Sequence, residues 1–317
     1  MSDRINRREF FGRAATSGLA LYGLSLAAGC KSGFSRTLKQ GPREKRANNL
    51  HKGVFSARGS DDPAKLTRAA VDAAGGMNKL VKRGDIVVVK PNIGWDRTPE
   101  QAANTNPAVV AAVVAMALEA GAKEVRVFDR PCNPDRRTYK RSGIAAAATK
   151  AGANVLFMDD ARFVSVAIPG AKALKEWLLY RDALECDVFI NVPILKHHGA
   201  TGMTAGMKNL MGMAGGERGA WHVGMLDQRI ADVQIAIKPD LVIVDAFRIL
   251  TAHGPQGGSA ADVRELKTVA VSTDVISADA YAAKLFGVEP TDIAHIRIGE
   301  EMGLGSIKPA ALKEINV

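Results

Sequence analysis

The stretch from Ile194 to Leu210 gathers more groups able to do chemistry than any other part of the chain. It holds Lys196, His197, His198, Thr201, Thr204, Lys208 and Asn209, with glycines at 199, 202 and 206 and a further one at 212. Glycine lets a ligand approach the backbone, and free N–H groups at a helix start favour anions. Lys196 and Lys208 add positive charge, Thr204 a hydroxyl and Asn209 an amide. The spacing is neither that of a Walker loop nor that of a G-x-G-x-x-G dinucleotide fingerprint. The chemical bias is therefore towards the carboxylate or phosphate of a small anionic ligand. Lys90 and Asn92, which leave an earlier apolar run, are assigned to the same anion.

Histidine is the side chain best suited to moving a proton near neutrality. His197 and His198 are adjacent, so in extended backbone they face opposite ways and one of them at most faces a shared crevice. The spacing favours His198. His222 is a second candidate, and Asp245 would orient a partner, so these three form the candidate catalytic set. A divalent metal held by Asp129, His198, His222 and Asp245 is chemically feasible, although no ligand spacing points to it. Met203, Met207 and Met211 recur at i, i+4 and i+8. That pattern reads as a buried helix face rather than a copper-binding stripe.

These groups need a frame, and the apolar pattern supplies one. Ile86 to Val89 is a short continuous apolar run, the mark of a strand buried on both faces. A helix is predicted over Val109–Ala120, with Asn106-Pro107 as its cap and first turn and Gly121 as its stop. Further strands are predicted at 125–128, 155–158, 188–192, 241–244 and 269–271, and helices at 139–151, 230–237 and 276–286. Phe163 to Pro169 reads as an antiparallel addition. This alternation predicts an α/β fold: a mostly parallel central sheet with helices on both faces, in a single large domain. Such sheets bind ligands beyond the carboxyl ends of their strands. Polar or charged residues follow five of the predicted strands: Lys90, Asp129, Asn191, Asp245 and Asp274.

The amino-terminal region has a different character. Asn6-Arg7-Arg8-Glu9-Phe10-Phe11, a weakly apolar stretch from Ala14 to Gly29, and Cys30 read as a twin-arginine signal peptide over residues 1–30 with a lipobox-like end. The expectation is export by the twin-arginine translocase to a periplasmic or other extracytoplasmic site, with lipidation of Cys30. Ala27 stands where a lipobox usually has Leu. Residues 31–58 are polar and basic and read as a flexible tether, with the α/β domain over 59–317. The net charge is +10, but residues 1–60 alone carry twelve Lys and Arg against three Asp and Glu. The basic excess thus belongs to the tail, where each cation near an anionic membrane surface contributes ~1 kcal/mol. No basic patch interleaved with aromatics occurs in the body, so nucleic acid is not an expected partner.

The chain has three cysteines, Cys30, Cys132 and Cys186, and no C-x-x-C. No cysteine-ligated iron–sulfur cluster is expected. Cys132 and Cys186 read as two buried free thiols, with a disulfide as the other option.

In their order along the chain, several motifs resemble domain of unknown function 362. They are Val87 to Asn92, the Asn106-Pro107 helix start, Asp187 to His198, Thr204 to Gly212, His222, Pro239 to Asp245, and Gly254-Pro255-x-x-Gly258. The resemblance spans roughly residues 84 to 305. Many members of that family look like fusions to ferredoxin-type iron–sulfur segments, which implies redox work; this chain lacks those cysteines. The resemblance also implies a distant likeness in fold to nickel-dependent lactate racemases, which transfers no reaction. Two readings follow. One is an exported enzyme acting on a small anion. The other is a non-catalytic lipoprotein that binds such a ligand or assists a membrane redox complex.

Overall fold

The computed structural model describes residues 39–317, so the signal-peptide and lipidation expectations at Arg7, Arg8 and Cys30 lie outside the described residues. Thirteen strands follow in order: β1 Lys39–Gln40, β2 Val54–Arg58, β3 Ile86–Pro91, β4 Glu124–Val127, β5 Asn154–Val155, β6 Phe163–Ala167, β7 Glu176–Tyr180, β8 Val188–Val192, β9 Ile194–His198, β10 Gly202–Thr204, β11 Leu241–Leu250, β12 Val263–Ser272 and β13 Leu312–Asn316. The helices are α1 Pro63–Ala73, α2 Pro107–Glu119, α3 Asp135–Arg141, α4 Ile144–Lys150, α5 Arg181–Glu185, α6 Gly206–Asn209, α7 Leu226–Ala236, α8 Val275–Phe286 and α9 Ala294–Glu301.

Ten strands form one mixed sheet, in the order β13-β2-β12-β11-β8-β3-β4-β5, with β9 beside β11 and β10 beside β9. The run from β11 through β8, β3 and β4 to β5 is parallel throughout, whereas β12 is antiparallel to both β11 and β2. Strand residues alternate between two cores. Val87, Val89, Val188, Ile190 and Ile243 pack with α1, α2 and α4 on one face. Val88, Phe189, Val242 and Val244 pack with α7 and α8 on the other. Burial on both faces is why these strands read as continuous apolar runs. The expected α/β architecture, mostly parallel with helices on both faces, is the observed one.

Several local expectations change. Residues 139–151 form two helices, α3 and α4, because Gly143 between them takes φ +73°. The addition at 163–169 is antiparallel as expected, but to β7, in a separate three-stranded sheet with β1. Met203, Met207 and Met211 are buried but do not share a helix, since Met203 lies on β10 and Met207 on α6.

The tether assigned to 31–58 is corrected over its described part. Arg43 is buried and its guanidinium lies 2.5 Å from the Asp240 carboxylate, while Arg46 pairs with Asp85. Asp240 also accepts the Phe189 N–H at 2.8 Å, so this clasp fastens the segment to the amino-terminal edge of the parallel strands. Val54–Arg58 is a sheet strand between β12 and β13. The basic composition suggested solvent exposure, but carboxylates at strand starts receive these cations.

Candidate anion-binding site

Four parts of the fold meet at the carboxyl edge of the parallel strands, where α/β sheets bind their ligands. β3 delivers Lys90 and Asn92, and β4 is followed by Asp129 and Arg130. The β9–β10 hairpin carries Lys196, His198 and Thr204, and α6 carries Lys208 and Asn209. All of these, together with Cys132, Arg218 and His222, line one cavity of about 370 Å³. The residues assigned from sequence to a single anion do converge.

The lysines differ in their surroundings. Lys90 is fully buried, and its Nζ lies 2.8 Å from Asp129 Oδ1 and 2.9 Å from both the Pro91 carbonyl and Asn209 Oδ1. Lys196 donates to Asn92 Oδ1 at 3.0 Å and to the Ala103 carbonyl at 2.6 Å. Its partners are neutral. Among the described residues Lys208 donates only to Met211 Sδ, at 3.3 Å. Arg130 and Arg218 donate to backbone carbonyls. The cavity wall therefore carries five cations and a single carboxylate, Asp129, which Lys90 already holds. Burial pushes the Lys196 amine down to about 7 and the Lys208 amine down to about 8, with neighbouring positive charge acting in the same direction. A bound anion would reverse that shift by favouring the charged forms.

An amide ladder fixes the floor. Asn209 Oδ1 accepts from Lys90 and from Asn92 Nδ2, and its Nδ2 donates to Asn191 Oδ1 at 2.8 Å. Asn191 in turn donates to the Gly206 carbonyl at 2.8 Å. Thr105 locks the loop after β3, accepting the Asn92 N–H at 2.8 Å and donating to the Val192 carbonyl at 2.7 Å. Gly212 is needed for the ion pair: a Cβ there would stand 2.0 Å from Asp129 Oδ1 and 2.7 Å from Lys90 Nζ. Thr204 Oγ1 is buried on this wall without a hydrogen-bond partner.

The two histidines stack with ring centroids 6.0 Å apart but are wired differently. His198 is buried, and burial together with the Lys208 charge pushes it down to about 3, so the ring is neutral. Its Nδ1 accepts the Ala200 N–H at 3.2 Å, which leaves the proton on Nε2 as a donor. His222 is exposed at the rim and its Nδ1 faces the Gly219 carbonyl at 3.2 Å. A proton on that nitrogen leaves Nε2 as the acceptor. Desolvation and the Lys208 charge lower the His222 pKa. His198 is thus a hydrogen-bond donor rather than a base, and His222 is the group equipped to accept a proton.

Three expectations are corrected. Asp245 is fully buried and does not line the cavity; its carboxylate accepts the N–H groups of Asn106 at 2.7 Å and Phe247 at 3.1 Å, which anchors the start of α2. The first N–H groups of α6 are not free for a ligand. Asp279 accepts them, from Gly206 at 2.6 Å and Met207 at 2.9 Å. The proposed metal ligands part company as well. Asp129 is bound to Lys90, Asp245 lies behind the site, and no group of three or more His, Cys, Asp or Glu among the described residues is placed to hold a metal ion. The residues present do not form a metal cradle.

Arg130, Arg218 and Cys132 were missed as site residues. Arg130 directly follows Asp129 at a strand exit, so it was legible; Arg218 and Cys132 arrive through loops whose course the pattern does not reveal. Both thiols are free as expected, but only Cys186 is buried; Cys132 is exposed at the cavity, because the loop after β4 carries it to the rim. A larger cavity of about 620 Å³ lies at the opposite edge of the sheet. Most of its charged groups are already engaged: Lys238 pairs with Glu44, Glu301 with Arg297, and Asp274 caps α8.

Similarities to known proteins include the following. A thylakoid-associated protein of Synechocystis sp. is 29% identical over 244 residues, covering 75% of this chain and 74% of that one. The lactate racemase apoprotein of Thermoanaerobacterium thermosaccharolyticum shares 9% identity over 77% of this chain at a TM-score of 0.46. A Thermotoga maritima protein shares 14% over 73% at 0.45. The chain spans about three-fifths of the length of these two solved structures, 61% and 60%. The model of Domain of unknown function (DUF362) matches residues 87–284, which takes in both cavity lysine strands, the glycine-rich stretch and His222, and the chain belongs to that family.

Proposed function

We propose that this protein is an enzyme that binds a small organic anion, a carboxylate or phosphate, and moves a proton on it. The observation that carries the reading is the pair Lys196 and Lys208: two buried amines on one cavity, neither ion-paired to a carboxylate among the described residues. A buried cation without a counter-charge is costly, and an anion removes that cost. Lys196, Lys208 and Arg218 hold the anion, Asn92 and Asn209 fix the amine positions, His198 donates from Nε2, and His222 accepts or returns the proton.

Two measurements test the parts separately. Thermal stability with added lactate, pyruvate or phosphate should rise with concentration, as for any ligand that binds only the folded state. The uncharged amides of the same acids should do nothing. Exchange of carbon-bound hydrogen in deuterated water, followed by NMR, then separates an enzyme from a binder. Stabilisation without exchange of any tested anion supports the second reading, a non-catalytic accessory protein at a membrane. The thylakoid association named for the Synechocystis relative favours that second reading.

The proposed location is extracytoplasmic, reached by twin-arginine export and held by a lipid on Cys30, with the basic residues beside it drawn to the membrane surface. Arg7→Lys with Arg8→Lys should retain the precursor in the cytoplasm, and intact mass should reveal acyl chains on Cys30. Normal fractionation of the double variant, or a mature protein without added mass at Cys30, contradicts the corresponding part.

A further inference from the structure

We infer that Lys208 is a covalent catalyst: its amine condenses with the carbonyl of an anion-bearing oxo compound held in the cavity. The inference rests on the anion-binding reading and narrows its substrate to a 2-oxo acid or a phosphorylated ketone or aldehyde.

The three cavity lysines are not equivalent. Lys90 is saturated by a carboxylate, an amide oxygen and a carbonyl. Lys196 is held by two oxygens. Both nitrogens are already directed at protein oxygens. Lys208 has a thioether sulfur as its hydrogen-bond partner among the described residues, and thioether is a weak acceptor. It is nonetheless 8% exposed, so water does not supply what the protein withholds. Thr204, four residues earlier at the end of β10 and on the same cavity, presents a buried hydroxyl oxygen with no partner among the described residues. A weakly paired amine and a hydroxyl without a partner on the wall of one cationic cavity are an incomplete set of contacts. A carbonyl compound bearing a negative charge completes it: the charge meets Lys196 and Arg218, the carbonyl carbon meets Lys208, and the oxygen meets Thr204.

The chemistry balances without an added oxidant or reductant. The Lys208 nitrogen lone pair attacks the carbonyl carbon and a C–N bond forms. The carbonyl π pair goes to oxygen, which takes the proton lost by nitrogen, giving a carbinolamine. The hydroxyl then leaves as water with one proton from solvent, the C–O bond breaks, and a protonated imine remains. Attack needs a neutral amine. In the ligand-free cavity desolvation and the Arg218 charge lower the amine pKa to about 8, and the neutral minority present near pH 7.5 is the attacking form. The imine draws electrons from the adjacent carbon, and His222 Nε2 is the acceptor on the same cavity for a proton released there.

The test uses the whole protein with pyruvate in one arm and dihydroxyacetone phosphate in the other, each with sodium cyanoborohydride, followed by peptide mapping. The expected result is one reduced adduct per chain, on Lys208, with at least one of the two probes, suppressed by excess lactate or inorganic phosphate. Lys208→Arg keeps the charge. It should lose the adduct, because a guanidinium does not condense with the carbonyl. A protein that binds the anions but yields no adduct, or yields it on Lys196 or scattered surface lysines, overturns the inference and leaves the anion reading standing. A protein that binds none of these anions defeats the underlying reading instead.

Discussion

Lys90 and Asp129 form an ion pair at 2.8 Å with both side chains out of water, so the one carboxylate on the cavity wall is spent on the one lysine that β3 delivers. The pair is structural. It ties β3 to β4 and leaves Lys196 and Lys208 without an ion-pair partner among the described residues. Breaking such a pair from one side strands the other charge. Lys90→Met should cost about 3–5 kcal/mol in chemical denaturation, and Lys90→Met with Asp129→Leu should cost clearly less than the two single changes added together. Additive costs would mean that the two groups do not depend on each other.

Gly212 guards that pair. Its missing side chain leaves room that a methyl would take from Asp129 Oδ1, at a built distance of 2.0 Å. Gly212→Ala should lose about 1–3 kcal/mol of stability and weaken anion binding. Gly219→Ala, where a Cβ meets nothing within 4 Å, is the matched control and should be neutral in stability. Equal stability of the two variants would show that the loop after α6 yields freely.

Anion affinity should depend on pH with a definite sign. Lys196 titrates near 7 and Lys208 near 8 in the ligand-free fold, both below their ordinary value because of burial. The anion favours the charged amines, so binding is strongest below about pH 7 and weakens as pH rises through 8. The same linkage requires proton uptake on binding near neutrality. Titrations in buffers of different ionisation enthalpy read that uptake directly. Binding that is flat in pH, or that releases protons, contradicts it. Stability without ligand has the related sign: both folded pKa values lie below the unfolded one, so these groups add stability as pH rises from about 7 towards 10.

The two stacked histidines should be opposite tautomers. His198 is expected with its proton on Nε2 and to stay neutral on acidification to about pH 4, because burial holds its pKa at about 3. His222 is expected with its proton on Nδ1, and to titrate first. Nitrogen-15 shifts of the imidazole rings separate these states. A His198 that takes up a proton near pH 6 would remove the donor assignment.

Much of this was legible in the sequence, for reasons that also explain the failures. Val87 to Val89 and Val188 to Ile190 are apolar on both faces, so their strands and direction could be read, and the polar residues at their exits had to share an edge. That placed Lys90, Asn92, Lys196, Lys208 and Asn209 together. Asp245 also follows an apolar run and was expected at the same edge. It is instead absorbed into β11, which runs on to Leu250, and it caps the N–H of Asn106. Whether a strand ends or continues is decided by its neighbours, here β12, not by the residue itself. Asp279 sits inside an alanine-rich helix and gave no local signal that it caps α6, 73 residues earlier. Val54–Arg58 was hidden because its strand is short and its flanks are basic, and the carboxylates that answer those flanks, Asp85 and Asp240, are remote in sequence.

The central claim is that the cavity beyond β3 and β9 holds a small anion through amines that lack a counter-charge. Isothermal titration of the wild type and of Lys196→Met with lactate, pyruvate and inorganic phosphate at pH 6.5 tests it most directly. The account requires saturable one-site binding of at least one of them, weakened tenfold or more in the variant, about 1.4 kcal/mol, with no binding of the matching neutral amide. Binding that Lys196→Met leaves unchanged, or an amide that binds as tightly as its acid, would contradict it.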